Sequence, residues 1–254
     1  MTAQIDKSEF KKSEVLSGSG IGVAERGYYG EVLKITCGDG KVVRADEIIS
    51  NFKQALPETF VEFDKAMRGD SLNLDLYGYD PEQDVAIIQI RHFFRRYRRG
   101  YANIHKDYVM VGRNEITNEL FRHPVSAHSI HAAIRKDEND PVAPIRAAQR
   151  WMWGVTEKQL EKGIRQGDIL IVPAKGKPAN AEMIEADTVL VGGTHEVHAT
   201  EFCKDRKGIV FAFAPTVRHT KGQHLAAYGD GDFWHSIRVA READTWEWGA
   251  RLGD

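Results

Sequence analysis

The sequence predicts an α+β protein: a mixed N-terminal α+β portion followed by a β-rich C-terminal portion resembling a small barrel or sandwich. Three observations carry this. The chain has 254 residues, 42% of them hydrophobic, enough for one large core or two modest ones of roughly 100–150 residues each. Helix-capping signals concentrate between 114 and 166. From 168 onward the composition changes to short β-branched runs separated by Gly, Pro, Lys and Asp, the spacing of an antiparallel sheet or small barrel. The expected organisation is a flexible tail over 1–18, an α+β portion over 19–166 and a β-rich portion over 167–254.

Residues 1–18 are polar and aperiodic and end in Ser17-Gly18-Ser19-Gly20, as a tail would. EVLKITC (31–37), Gly38-Asp39-Gly40 and KVVRA (41–45) read as a hairpin, because the turn accepts positive φ. Residues 46–68 have helical spacing, with Pro57 placed to start a second helix. LNLDLYGY (72–79) alternates as a strand. Asp80-Pro81-Glu82 offers an N-cap, a first-turn proline and an acidic first turn, predicting a helix over 81–99, with the β-branched run VAIIQI leaving a strand start open. DYVMVG (107–112) is a short buried strand. Ser126 caps a helix over 127–136, Asp140-Pro141 opens another toward Trp153, and Thr156-x-x-Gln159 is a capping box for a third ending near Gly167. DILIVP (168–173), TVLVG (188–192), GIVFAF (208–213), HLAAY (224–228) and WHSIRVA (234–240) are the strand candidates of the β-rich portion.

Bulk composition excludes more than it identifies. Cys37 and Cys203 are too few and too far apart for a disulfide framework or a four-cysteine zinc site and suggest a reducing compartment. No apolar run reaches the roughly 18–20 residues that span a bilayer, and the N-terminus lacks a signal-peptide stretch. The expected location is cytoplasmic, with no membrane partner. A net charge of −2 argues against a uniformly basic nucleic-acid binder. It averages over opposites. Residues 91–113 hold seven Lys/Arg and one acid, whereas 45–80 hold eight acids and three bases.

The cationic segment predicts a nucleic-acid surface made of Arg91, Arg95, Arg96, Tyr97, Arg98, Arg99 and Tyr101. On a helix its arginines form one ridge, guanidinium forks match phosphate oxygens, and the tyrosines stack on exposed bases of RNA or single-stranded DNA. The competing reading is a ridge docked on the acidic 45–80 stretch.

Ten histidines are unevenly spread. His123, His128 and His131 fall within nine residues, and His128, His131 and Arg135 could share a helix face suited to a metal or a phosphate. The stronger group lies in the β-rich portion, where GGTHEVHATEF (192–202) and RHTKGQH (218–224) supply His195, His198, His219 and His224 with Glu196 and Glu201 nearby. His195, His198, Glu201, His219 and His224 are the candidate ligands of a divalent metal, zinc first, because imidazoles with one carboxylate leave a position open for an activated water. Without metal, His195, His198, His219 and His224 are candidate general acids and bases, with Arg218 stabilising developing charge. On a strand, His195 and His198 would point oppositely and Glu196 would pair with His198.

The leading functional expectation is therefore a nucleic-acid-associated phosphoester hydrolase or transferase, nuclease-like, with a histidine-based and metal-assisted site. A second is a non-enzymatic RNA- or protein-binding adaptor with a structural His/Zn site, in which Trp246 and Trp248 of TWEWG contact a protein partner. A third is a cupin-like metal protein acting on a small molecule. His195, Glu201 and His235 after Gly231 follow that order, with spacings that depart from the family at both ends.

Overall fold

The structure is a computed structural model and describes residues 4–6, 21–23, 34–36, 42–56, 71–96, 101–114, 116–137 and 140–244. It is a mixed α+β fold with a β-rich C-terminal part, and it divides into two compact units. Among the described residues, unit 1 takes those of Met1–Arg113, Glu119–Ala148 and Glu242–Gly253, and unit 2 takes those of Asn114–Asn118 and Gln149–Arg241.

Unit 1 begins with β1 (Gln4–Asp6), β2 (Ile21–Val23), β3 (Lys34–Thr36) and β4 (Val42–Arg44). β3 pairs antiparallel with β1 and β4, so the two arms predicted around Gly38-Asp39-Gly40 do pair. Helix α1 (Ala45–Asn51) and a 3-10 turn over Lys53–Ala55 follow. The second helix expected from Pro57 lies outside the described residues. Strands β5 (Ser71–Asp80), β6 (Val85–Arg96), β7 (Tyr101–Arg113) and β8 (Leu120–Pro124) complete a five-stranded sheet of order β2-β5-β6-β7-β8. It is antiparallel except where β2 joins β5. One face buries Leu74, Leu76, Ile88, Ile90, Val109 and Val111 against Ile48, Ile49 and Phe52, the alternation expected of strands with one apolar face.

The helix expected over 81–99 is instead a turn followed by β6. Asp80 Oδ1 accepts from the backbone N–H of Glu82 at 2.9 Å and Gln83 at 3.2 Å, which is N-cap chemistry used to close a strand-to-strand turn. The β-branched run VAIIQI then continues as β6 because both its faces are covered and its strand partners supply hydrogen bonds. Helices α2 (Ala127–Lys136), α3 (Ala143–Trp153) and α4 (Glu157–Lys162) follow. The helical stretch predicted over 114–166 is thus bounded by strand at each end, β8 before it and β9 (Ile164–Gln166) after it. Asp140 Oδ1 accepts from the N–H groups of Val142 and Ala143, opening α3 as expected, and both halves of the Thr156/Gln159 capping box are formed. The division between the units falls within α3.

Unit 2 contains β9, β10 (Ile169–Pro173), β11 (Glu182–Ile184), β12 (Thr188–Val191), β13 (His195–His198), β14 (Phe202–Lys204), β15 (Val210–Phe213), β16 (Thr216–His219), β17 (Ala227–Tyr228) and β18 (Trp234–Val239). They form a six-stranded sheet, β11-β14-β15-β18-β10-β9, and a four-stranded sheet, β12-β13-β16-β17. Ile169, Ile171, Phe202, Ala212 and Ile237 of the first share one core with Val191, Val197, Val217 and Ala227 of the second. No helix among the described residues is long and apolar enough to cross a membrane.

Candidate acid–base site

Antiparallel register creates the site. β13 and β16 place His195 directly opposite His219. On both strands the alternation that buries Val197 and Val217 turns these histidines inward as well. Their rings meet edge to face with centroids 4.9 Å apart. His224, on the loop between β16 and β17, completes a triangle, 5.4 Å from His219 and 6.1 Å from His195. All three are buried, at 0%, 5% and 6% relative exposure for His195, His219 and His224.

The fourth member is Asp168, absent from the sequence-based candidates. β9 and β10 pair Gln166 with Ile169, leaving Gly167-Asp168 as a two-residue turn. Gly167 has φ +54, a conformation that glycine adopts without steric cost. This turn brings Asp168 Oδ1 to 3.3 Å from His195 Nδ1. The only sequence signal was the pair Gly-Asp between two β-branched runs, which is hairpin-turn chemistry.

Hydrogen-bond partners assign the tautomers. His195 Nδ1 faces the Asp168 carboxylate and the Thr194 hydroxyl oxygen, 3.1 Å away. The hydrogen bond at Nδ1 is with the Thr194 hydroxyl, and the Asp168 carboxylate makes an ion-pair contact beside it; a proton on Nδ1 suits both neighbours and leaves Nε2 as the basic nitrogen. His219 is the reverse, because its Nδ1 accepts from the backbone N–H of Lys221 at 3.1 Å, which puts the proton of the neutral ring on Nε2. For His224, Asn114 Oδ1 is held by the N–H groups of Ile116 and Thr117. The amide Nδ2 therefore donates to His224 Nδ1 at 3.3 Å, leaving His224 Nε2 as an N–H donor. The node thus combines one oriented base with two N–H donors.

The remaining candidates lie apart from this node. His198 is on the opposite face of β13, its Nδ1 2.8 Å from Thr188 Oγ1 and its Nε2 3.8 Å from Glu196 Oε2, as strand geometry requires. Glu201 is exposed in the link before β14. Arg218 precedes His219 and is therefore turned outward and exposed, in register with Glu196; the period-2 alternation that buries His219 removes Arg218 from the site. His235 is buried on β18, where it stacks on Phe233 at 4.6 Å. Cys203 is a free, buried thiol on β14 whose pKa is raised by burial, an unreactive setting. Among the described residues no group of three or more His, Cys, Asp or Glu is arranged to hold a metal ion. The tautomers agree, since a metal on His219 Nε2 would force a proton onto Nδ1 against the Lys221 N–H.

In unit 1, Arg91, Arg95 and Arg96 lie on β6 and Tyr101 on β7, so the expected helical ridge is replaced by strands. Tyr97, Arg98 and Arg99 lie outside the described residues, as do Trp246 and Trp248. His123 is buried on β8, His128 is exposed, and His131 is hydrogen-bonded to the Tyr108 hydroxyl at 2.8 Å, so these three do not form one cluster. Comparison of the chain with protein-family models, curated proteins and solved structures finds no match.

Proposed function

We propose that unit 2 is a metal-independent acid–base site for phosphoester cleavage or transfer, acting on RNA or single-stranded nucleic acid. The observation that carries this reading is the Asp168–His195 pair beside the N–H donors of His219 and His224. In the proposed reaction, His195 Nε2 takes the proton of a ribose 2′-hydroxyl as its oxygen attacks phosphorus. The bond to the 5′-oxygen breaks, the imidazolium formed on His195 returns its proton to that leaving oxygen, and His219 Nε2–H donates a hydrogen bond to it. The Asp168 carboxylate stabilises the imidazolium formed on His195, and His224 Nε2–H donates to a phosphoryl oxygen as charge builds there. Lys221, Gly222 and Leu225 are exposed on the loop that carries His224, Leu225 at 73%, and access of a substrate to the buried node requires this loop to move. A phosphoester is the favoured substrate class because the same chain carries a cationic strand pair in unit 1.

The test is cleavage of a short labelled single-stranded RNA, with a 2′-deoxy strand as control and chelator present throughout. H195A and H219A are each expected to lose about 100-fold or more in rate, while R218A, outward on β16, stays near the parent. Cleavage that needs a stoichiometric divalent metal would move the node to the metal reading. Equal activity of parent and H195A on this substrate would leave the three histidines as a structural core.

A further inference from the structure

We propose that unit 1 carries a separate oxyanion site, suited to a phosphate group, on the sheet face covered by α2, with Arg91, Lys106 and Arg135 binding the anion over a floor of Tyr108 and His131. The site is independent of the histidine node of unit 2.

The floor is built from buried polar groups. Gln89 and Tyr108 are directly opposite in the β6–β7 register, and both are buried. The Gln89 amide donates to the hydroxyls of Tyr77, at 3.0 Å, and Tyr108. Tyr108 O–H then donates to His131 Nε2 at 2.8 Å. Tyr77, Tyr108 and His131 pack edge to face with centroids 5.1–5.7 Å apart. This network fixes His131 as the neutral imidazole with its protonated nitrogen at Nδ1.

Cations surround that floor. Arg91 and Lys106 are direct cross-strand partners, one pair along from Gln89 and Tyr108 on the same face. Like charges directly opposite are unfavourable. Among the described residues Arg91 Nη2 contacts Asp75 Oδ2 at 3.0 Å, and Arg91 Nε is buried without a hydrogen-bond partner. Arg135 follows His131 at i+4 on α2, so it lies over the same patch. Lys106 and Arg135 are exposed, and among the described residues neither makes an ion pair. Burial first, and then the charges of Arg135 and Lys106, hold the His131 pKa below its ordinary value, in keeping with a positive field at this point. A bound oxyanion would neutralise Lys106, accept from the buried Nε of Arg91 and the exposed guanidinium of Arg135, and relieve the repulsion the register imposes.

The experiment titrates inorganic phosphate into the full chain and follows the ring nitrogen and carbon-bound proton signals of His131 by NMR. Saturable movement is expected, with affinity about tenfold weaker in R135Q and in K106Q. R218Q, an exposed arginine of unit 2, should bind as the parent does. Both test substitutions are at exposed positions and spare the fold. Absence of a saturable shift, or equal weakening by R218Q, overturns the site. A 5′-phosphorylated oligonucleotide compared with its unphosphorylated form identifies the source of the group. Tighter binding of the phosphorylated strand than of inorganic phosphate assigns the end of a nucleic acid, and equal binding of the two assigns a free phosphate.

Discussion

His235 is fully buried on β18, donates from Nδ1 to the carbonyl of Phe233 at 3.0 Å, and leaves Nε2 buried without a hydrogen-bond partner. Burial holds its pKa below the ordinary value, outweighing the opposing effects of the Phe233 carbonyl and Asp230. His131 is shifted in the same direction. For such a group the unfolded chain binds more protons than the folded one once the pH falls below the unfolded pKa of about 6.5. Stability is therefore fully present above that pH and declines as pH falls through it toward the folded pKa, with a slope per group of at most about 1.4 kcal/mol per pH unit. Urea midpoints measured between about pH 7.5 and pH 5 should fall with acidification, and H235Q should show a shallower fall than the parent. Identical slopes for the two proteins would mean that His235 is protonated equally in both states.

At the scale of elements, the turn Gly167-Asp168 controls the histidine node. A Cβ on Gly167 would sit 2.6 Å from His224 Nε2, and the residue already requires φ +54. Gly154 is the natural control: it has φ +62 but a Cβ there would meet nothing within 4 Å. G154A should lose about 1–2 kcal/mol from backbone strain alone, whereas G167A should lose more and also displace the His224 ring signals in an NMR spectrum. Equal losses with unmoved His224 signals would show that the node is not packed against the turn. This element also marks where sequence reading stops. Caps at Asp140 and Thr156 were legible because their partners lie within three residues. The opposition of His195 and His198 was legible because strand alternation is local. The meeting of His195 with His219 depends on register across 24 positions, and Asp168 reaches His195 across 27; neither pairing has a local signature. Asp80-Pro81 misled for the converse reason, since a carboxylate capping two N–H groups looks the same before a helix and before a hairpin turn.

At the scale of the whole molecule, the near-zero net charge of −2 conceals local concentrations of opposite sign. Among the described residues the pairing of β5 with β6 ends at Ser71 and Phe93. Beyond it β6 and β7 continue as a pair through Phe94 with Asn103, Arg95 with Ala102 and Arg96 with Tyr101. A two-stranded antiparallel ribbon carrying arginine is one of the shapes that enters a nucleic-acid groove or tracks a single strand. Its affinity should come from counterion release, so binding of a labelled single-stranded RNA should weaken linearly on a plot of log K against log salt. Each phosphate contact contributes a slope of about −0.7 on a single strand. The double substitution of Arg95 and Arg96 by Gln should therefore reduce the magnitude of the slope by about 1.4. H195A, in the other unit, should leave the slope unchanged, which separates binding by the ribbon from cleavage at the histidines. Affinity indifferent to salt, or a slope unaltered by the double substitution, would remove the ribbon as a nucleic-acid surface and assign its arginines to contacts within the protein.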